Sequence, residues 1–385
     1  MITLPFGAVC RGVSLATQSV IHQINNMLYN CEKWFIQHVV TLPYRSLMPR
    51  FHTPIGSAAY HDLLRLAQDE QVGEIIGTPT RVSVKGRVFW YDKFRVGSDM
   101  AQRYIGPDSP ALQDRLARLD ALKEAREARR RERTRLVRLL RADGYTPTDQ
   151  TTGSLLNAFS RTGVFRLGGT LIGTVAFRHY EGELGVVLGA DALAQTGDMD
   201  IASFERLSFA IGDQVDTPLE EVFKSLKFVP SPSLDPQRIW RWAQSSGETL
   251  VEFLLPAQGE ESLRDLPALG VSAMALRHLD YLIEDPIPAV SLYRSGVLVQ
   301  IPRPERYAVH KLIVAERRRA GDRLKAQKDR AQAALLIAVL AETRPDELRE
   351  AYEDALARGP RWRAQIEASL RLRPDAHAIL TEVTR

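Results

Sequence analysis

The sequence predicts an α+β protein in which a small sheet and a long helix precede a larger sheet, and a helical region follows. Three observations indicate this. Residues 81–91 alternate apolar and polar side chains, as a half-exposed strand does. Residues 249–256 form an apolar run of strand length with one acidic residue inside it. From residue 331 onward the chain carries apolar stripes at helical spacing, which predict a C-terminal bundle.

Length and composition narrow the classes of protein. The chain has 385 residues, 44% of them hydrophobic, which is enough for two or three domains with sizeable cores. Its net charge is only +4, so a charged partner has to be recognised by a local cluster. The cysteines, Cys10 and Cys31, leave none for a metal site in the body of the chain. With no apolar run of membrane length and no export signal, we expect a cytoplasmic protein without a membrane partner.

Residues 1–47 differ in pattern from the rest of the chain. The stretch Ile21–Val40 is moderately apolar, yet it has little charge and no helical stripe. We predict a poorly ordered extension, produced by a start assigned upstream of Met48. The alternative is an appended helix that docks on another surface.

The next predicted domain, residues 48–143, combines a helix, a β-meander and a long basic helix. The elements expected are a helix at 56–71, strands at 81–91, 92–96 and 102–105, and a helix from Pro110 to Arg141. In the long helix, arginines alternate with glutamates; the arginines include Arg129, Arg130, Arg131 and Arg133.

Two interpretations of that helix stay open. Runs of mixed charge usually form a solvated surface with ion pairs, and we favour this interpretation. The alternative joins the arginines with Trp90 and Tyr91 into a nucleic-acid surface, where phosphates meet the charges and bases stack on the rings.

The third predicted domain, residues 144–302, carries the candidate site. We predict three elements in order: a helix at Thr151–Arg161, a strand at Val164–Leu167 and a helix at Leu171–His179. The turn between the strand and the second helix contains Gly168, Gly169 and Thr170. Glycines there let backbone amides approach a triphosphate without a Cβ in the way. A helix N-terminus that follows favours an anion at the same place.

Asp198 and Asp200 stand two residues apart at the start of a predicted strand. Strand side chains alternate, so both carboxylates project to the same face and repel each other unless a cation lies between them. Oxygen ligands at this spacing suit Mg²⁺ or Mn²⁺, which takes the rest of its shell from water and substrate phosphates. Taken singly, an Asp-x-Asp or a Gly-Gly-Thr occurs by chance in many solvated turns.

Together, Gly-Gly-Thr and Asp-Met-Asp-Ile resemble the signature of the DNA polymerase beta-like nucleotidyltransferase superfamily. This resemblance implies a third carboxylate on a neighbouring strand, more often Asp than Glu. Glu252, inside the apolar run 249–256, is the candidate, because an acid buried there needs a partner. It would ligate the metal or act as base toward the attacking hydroxyl. The alternative is an edge strand with Glu252 facing water.

The resemblance also bears on two other segments. The interval from Gly169 to Asp198 is longer than it implies, so we predict an inserted strand and turn at residues 180–196. A hairpin with strands at Ala289–Tyr293 and Val297–Ile301 precedes a helix that starts after Pro304. Superfamily members place a helical lysine at the phosphates at this point, which makes Lys311 and Lys328 candidates for phosphate binding. The alternative for both is solvated surface.

From about residue 56 to 340 the chain resembles a bacterial group of nucleotidyltransferase-fold proteins, and more distantly abortive-infection nucleotidyltransferase toxins. The motifs that carry this resemblance are Gly-Thr-Pro, Val-Lys-Gly-Arg-Val-Phe-Trp-Tyr, Arg-Tyr-Ile-Gly-Pro-Asp, Gly-Gly-Thr, Gly-Asp-Met-Asp-Ile-Ala and Pro-Glu-Arg-Tyr-Ala-Val-His-Lys-Leu. The resemblance implies a palm of mixed sheet with flanking helices, and two-metal transfer of a nucleoside monophosphate from an NTP. Residues 303–385 would form a helical domain on the other wall of the cleft.

Three hypotheses for the function follow. The first is an enzyme that transfers the nucleotide to a hydroxyl of RNA or protein, as a toxin with a cognate antitoxin. The second is a small-molecule transferase, for which the basic helix and the appended sheet have no evident use. The third is a non-catalytic nucleotide- or RNA-binding module, which the intact pair Asp198 and Asp200 argues against.

Overall fold

A computed structural model describes the chain from residue 49 to 385. Short stretches within this range fall outside the description: 72–76, 85–86, 97–98, 118, 189–197, 204–214, 216, 233–234, 236–237, 246, 248 and 258. Residues 49–385 form one compact unit. The domain boundaries predicted after residues 143 and 302 fall inside this unit, and the extension predicted at 1–47 lies outside the described residues.

The first described segment is a helix followed by a meander, as predicted. Helix α1 spans Pro54–Gln71. The strands are β1 (Thr78–Val84), β2 (Arg87–Val96) and β3 (Asp99–Pro107), paired antiparallel in that order. The single strand predicted at 81–91 is therefore two strands. Alternation of side chains continues on both sides of the reversal, so periodicity did not show where the chain turns.

The long basic helix is divided into α2 (Pro110–Ala117) and α3 (Leu119–Ala142). The inner face of α3 packs on α1 through Leu136, Val137 and Leu140. Arg133 lies on this inner side, only 6% exposed, and donates hydrogen bonds to the carbonyls of Ser295 and Gly296. Burial lowers its pKa to about 10. For Arg133 both interpretations are wrong, the favoured solvated surface and the alternative phosphate-binding surface, because its guanidinium is buried and used inside the protein.

Helix α4 (Gln150–Thr162) is capped by Asp149, whose side chain accepts a hydrogen bond from the Thr152 amide. The strand predicted at Val164–Leu167 is wrong: residues 163–168 form turns, and the strand β4 is Thr170–Ile172. Val164 and Leu167 are apolar because the turn itself is buried. An apolar run of this length does not distinguish a buried strand from a buried turn.

Helix α5 spans Gly173–Leu184, so it begins two residues later than predicted and extends further. Residues 180–184 are helical rather than part of an inserted strand. The rest of the predicted insertion is described only at residues 185–188, and residues 189–197 lie outside the described part of the chain.

A mixed central sheet follows, with the strand order β4-β5-β8-β10-β9 and with β7 and β6 added beside β8. Its pairs β5–β8 and β8–β10 are parallel and the others antiparallel. The remaining strands are β5 (Asp198–Ala202), β6 (Phe228–Pro230), β7 (Arg241–Gln244), β8 (Leu250–Pro256), β9 (Leu263–Leu266) and β10 (Val271–Leu276). Helices α6 (Leu219–Ser225) and α7 (Leu279–Leu282) lie between strands in the sequence.

The C-terminal part is a hairpin and a set of helices, as predicted. Strands β11 (Ile287–Ser291) and β12 (Val297–Ile301) pair antiparallel. The helices are α8 (Pro304–Arg317), α9 (Arg323–Thr343), α10 (Pro345–Ala357), α11 (Pro360–Arg371) and α12 (Pro374–Val383). Four of them, α8, α10, α11 and α12, begin with proline, whose fixed φ suits the first helical turn and whose missing amide hydrogen is not needed there.

The predicted fold class is confirmed: the protein is α+β, a mixed sheet with flanking helices between a small N-terminal sheet with a long helix and a C-terminal helical region. One hydrophobic cluster runs from Phe94 on β2 to Leu380 on α12. Within the described ranges, no helix combines the length and the apolar character that crossing a bilayer requires.

Candidate functional site

The candidate site is a row of charged residues across three neighbouring strands. In the parallel pair β5–β8, Asp200 lies directly opposite Glu252. In the antiparallel pair β7–β8, Arg241 lies opposite Glu252 on its other side. We call Asp200, Glu252 and Arg241 the charged row. Side chains directly opposite each other on one sheet face are neighbours, so two distant segments are brought to one place.

The charged row faces away from the core of the sheet. Residues that alternate with it on β5 and β8 are buried: Met199, Ile201, Val251 and Phe253. Asp200 is half-buried, and the Glu252 side chain is 19% exposed. Because β8 has a partner strand on both sides, the interpretation of an edge strand with Glu252 in open water is wrong.

Asp198 begins β5, two residues before Asp200. The backbone of Asp198 is described and its side chain is not. Among the side chains that are described, no group of three or more His, Cys, Asp or Glu is placed to hold a metal ion. The donors of the row nevertheless fit Mg²⁺ or Mn²⁺, since Asp200 and Glu252 supply hard carboxylate oxygens side by side.

Arg241 was not found by sequence reasoning. Its Nη2 lies 2.6 Å from Oε1 of Glu252. Its guanidinium carbon also lies 4.3 Å from the ring centroid of Trp240. The signal available in the sequence was a single Arg between Trp240 and Trp242, of which Trp242 is buried in the core. Alternation therefore puts Arg241 on the same face as the acids, but only the strand pairing shows which acid it meets.

The carboxylate of Asp200 lies against the first residue of helix α5. A Cβ built on Gly173 would come within 2.4 Å of Oδ2 of Asp200, which is closer than real side chains approach. Gly173 also has a φ of 64°, a conformation that glycine adopts without strain. Two independent constraints thus require glycine where the helix starts beside the acid.

The predicted phosphate turn lies at the other end of β4. This strand runs antiparallel to β5 with Thr170 opposite Ala202, so its end at Ile172, not its start, is opposite Asp200. Gly169 packs on Val164, where a Cβ would lie 2.6 Å from a methyl carbon. Gly168 has a φ of 88° in the turn before it.

Thr170 is fully buried, and its hydroxyl is used within the protein. It donates to the Gly168 carbonyl at 3.2 Å and accepts from Nε2 of Gln300 at 2.9 Å. A role of Gly168, Gly169 and Thr170 at the phosphates stays a prediction. The glycine that lies against the Asp200 carboxylate is Gly173, which the sequence analysis did not single out.

A buried polar network lies behind Gly173 and joins α5 to helices α8 and α9. The hydroxyl of Tyr307 donates to the Gly173 carbonyl at 2.8 Å and lies 3.2 Å from Oε1 of Gln332. Burial raises the pKa of Tyr307 well above its ordinary value, and the charges of Asp329 and Asp200 add to this. The network keeps the start of α5, and with it the contact to Asp200, tied to the C-terminal helices.

Lys311 belongs to this network. It is 5% exposed, its Nζ lies 2.5 Å from Oδ1 of Asp329, and it stands 5.3 Å from the ring centroid of Tyr307. Burial by itself would raise the pKa of Asp329, but Lys311 and Arg318 bring it below its ordinary value. The solvated-surface alternative for Lys311 is wrong. To reach a phosphate, the ammonium would have to leave this buried ion pair, so its role in phosphate binding stays a prediction.

Lys328 precedes Asp329 on α9 and is half-buried. It is adjacent in sequence to Asp329, the partner of Lys311, and its role in phosphate binding stays a prediction.

Replacing Lys311 with Met should lower the free energy of unfolding by about 2–3 kcal/mol, because a buried carboxylate loses a partner. Asp329 keeps its contact with Arg318 at 2.9 Å, which limits the loss. Thermal unfolding of the purified variant measures the effect. Lys325→Met, at an exposed position of helix α9, which also carries Asp329, is the matched control and should change the stability by less than about 0.5 kcal/mol. Equal stability of the two variants would contradict a structural role of Lys311.

Several side chains of the candidate nucleic-acid surface have protein partners. The indole nitrogen of Trp90 donates to Asp108 at 2.8 Å, and Arg81 lies over the Trp90 ring at 5.5 Å. On α3, exposed arginines pair with glutamates one turn away, as in Arg135 with Glu132 at 2.7 Å. These contacts favour the solvated, ion-paired interpretation of the helix.

A small, partly open cavity of about 30 Å³ lies apart from the charged row. Its lining includes Tyr60, His179, Glu181 and Ser291, and none of Asp200, Glu252 and Arg241. Its size is that of a single water molecule, so it offers no space for a nucleotide.

Comparison with known proteins adds one finding. A protein-family model described as nucleotidyltransferase matches residues 150–357, more than half of the chain. The matched range starts at α4, contains the whole charged row and ends with α10. No curated protein and no solved structure matches the chain.

Proposed function

Because the chain belongs to the nucleotidyltransferase family, we propose that it moves a nucleoside monophosphate from an NTP to a hydroxyl acceptor, with Mg²⁺ or Mn²⁺ held by Asp198, Asp200 and Glu252. The observation that carries the proposal is the register of β5 and β8, which sets Asp200 opposite Glu252 on the face turned from the core. Adjacent carboxylates on one face repel each other, and a divalent cation relieves that repulsion.

The proposed reaction is an in-line displacement at the α-phosphorus. The acceptor oxygen forms a bond to this phosphorus, and the bond from it to the bridging oxygen breaks, so that pyrophosphate leaves with that oxygen. The proton of the acceptor hydroxyl passes to a carboxylate, for which Glu252 is the candidate. When bound, the metal would neutralise the triphosphate and stabilise the attacking and leaving oxygens.

In this proposal Asp198 and Asp200 bind the metal ion and fix its position, because a rigid β-strand sets the spacing of the two residues. Gly173 lets the Asp200 carboxylate lie against the start of α5. The amide dipoles at that helix start favour negative charge nearby, which suits a site that receives carboxylates and phosphates together.

The proposed acceptor is a hydroxyl of RNA or protein. The meander β1–β3 and the long helix α3 add a surface that a transferase for small molecules would not need. The resemblance to abortive-infection toxins makes a toxin role with a cognate antitoxin part of the same proposal.

Incubating the purified protein with each α-³²P-labelled NTP, Mg²⁺ and total RNA or cell lysate tests the proposal. We expect label on RNA or protein with one or more NTPs, release of pyrophosphate, and neither in the presence of EDTA. Label only in the small-molecule fraction would show a small-molecule transferase instead. No transfer to any fraction, together with no metal-dependent NTP binding, would contradict the proposal and favour a binding module.

A further inference from the structure

The charged row contains a cation that the proposed chemistry has not used. Arg241 contacts Glu252 through Nη2, and its side chain is 37% exposed, so solvent and ligands can reach it. Its Nε makes no hydrogen bond to any described residue. This Nε is buried, so the guanidinium has one donor beside Glu252 without a partner among the described residues, while the exposed part of the side chain lies where a ligand of the carboxylate site can reach it.

Trp240 limits the orientations of this guanidinium. The ring centroid lies 4.3 Å from the guanidinium carbon, and the indole packs on the hydrophobic core. An arginine stacked on a fixed ring loses little additional freedom when it binds a ligand, because its plane is already oriented.

The balance of charge indicates when Arg241 would change partner. Asp198, Asp200 and Glu252 bring three negative charges, and Arg241 offsets one of them. When bound, a divalent cation would offset the other two and would compete with Arg241 for the Glu252 carboxylate, so the pair between Glu252 and Arg241 would weaken. Guanidinium groups bind phosphate oxygens through parallel hydrogen bonds, and an incoming triphosphate supplies such oxygens next to the carboxylates.

We propose that Arg241 binds the triphosphate of the NTP, and that Glu252 holds its guanidinium in place until the nucleotide arrives. This inference rests on the proposed function and names a phosphate-binding residue of that site. Arg241 also gives the site a positive charge that solvent can reach. The sequence analysis assigned that role to Lys311, whose ammonium is buried in a pair with Asp329.

Affinity measurements on the full chain test the inference. Binding of a non-hydrolysable NTP analogue with Mn²⁺ would be followed by calorimetry, and binding of Mn²⁺ alone by electron paramagnetic resonance. For Arg241→Gln we expect about 10- to 100-fold weaker binding of the analogue, the size of a lost hydrogen bond between charged groups. Binding of Mn²⁺ alone should be no weaker than in the parent. Arg241→Lys keeps the positive charge but loses the planar pair of hydrogen-bond donors. Its affinity for the analogue should therefore lie between those of the parent and of Arg241→Gln.

Arg238→Gln is the matched control. Arg238 lies three residues earlier on the same segment, its side chain is 44% exposed, and it too pairs with an acid, Asp265 at 3.6 Å. Its removal should leave both affinities unchanged. A similar loss for Arg238→Gln would show that general surface charge, and not Arg241, attracts the nucleotide, and would overturn the inference.

Two further outcomes would overturn the inference while leaving the proposed function intact. In the first, Arg241→Gln binds the analogue as tightly as the parent does. In the second, its affinities for Mn²⁺ and for the analogue fall by the same factor, as expected of a residue that only positions Glu252. If the parent itself binds neither Mn²⁺ nor the analogue, the proposed function fails and the inference fails with it. Thermal unfolding identifies variants that do not fold, and Arg241→Lys keeps the test available in that case.

Discussion

Replacing Asp200 with Asn is expected to lower nucleotide transfer by about a hundredfold or more while the protein stays folded. The amide keeps the shape of the side chain beside Gly173 and removes the charge that a divalent cation needs. Metal catalysis contributes several kcal/mol, and each 1.36 kcal/mol corresponds to about tenfold in rate. Transfer from labelled NTP and binding of Mn²⁺ should fall together, with a melting temperature close to that of the parent.

The control for this variant is Asp69→Asn. Asp69 is an exposed acid on α1, outside the charged row, and the control replaces its carboxylate by the same amide. It should transfer nucleotide at the parental rate. If the Asp200 variant is as active as the Asp69 variant, the assignment of the metal to β5 is wrong.

Gly173→Ala is expected to have an effect of similar size on transfer by a steric route. The new Cβ would lie 2.4 Å from Oδ2 of Asp200, so the carboxylate or the start of α5 has to move. A displacement of about 1 Å in a catalytic group can cost about a hundredfold in rate. We therefore expect transfer to fall about a hundredfold and Mn²⁺ affinity to fall with it, measured on the same preparation.

Gly270→Ala separates this clash from backbone strain. Gly270 has the same φ of 64°, but the space around its missing Cβ is open, with nothing within 4 Å. Both variants carry the strain of a left-handed residue, about 1–2 kcal/mol in the free energy of unfolding. Only the Gly173 variant should lose transfer. Equal activity of the two variants, after correction for the folded fraction, would show that the contact between Gly173 and Asp200 is not needed.

The sequence by itself determined the elements that have a strong local pattern. Helix α1, the meander, helix α4, strand β8, the hairpin β11–β12 and the C-terminal helices were predicted, because apolar periodicity and turn residues act over a few residues. The side-chain alternation of β5 was also readable, since it depends only on the strand period. Local patterns were insufficient for the buried turn 163–168, where burial, not extension, makes the residues apolar.

The tertiary structure alone decided which residues share the site. Strand register places Asp200 opposite Glu252 and Glu252 opposite Arg241. This register follows from packing of the whole sheet and not from any local pattern in the sequence. For the same reason Lys311 could be predicted on a helix but not in a buried pair with Asp329, since the partner lies on another helix. The need for glycine at position 173 arises from the approach of Asp200, a contact across β4 and β5 that no local pattern encodes.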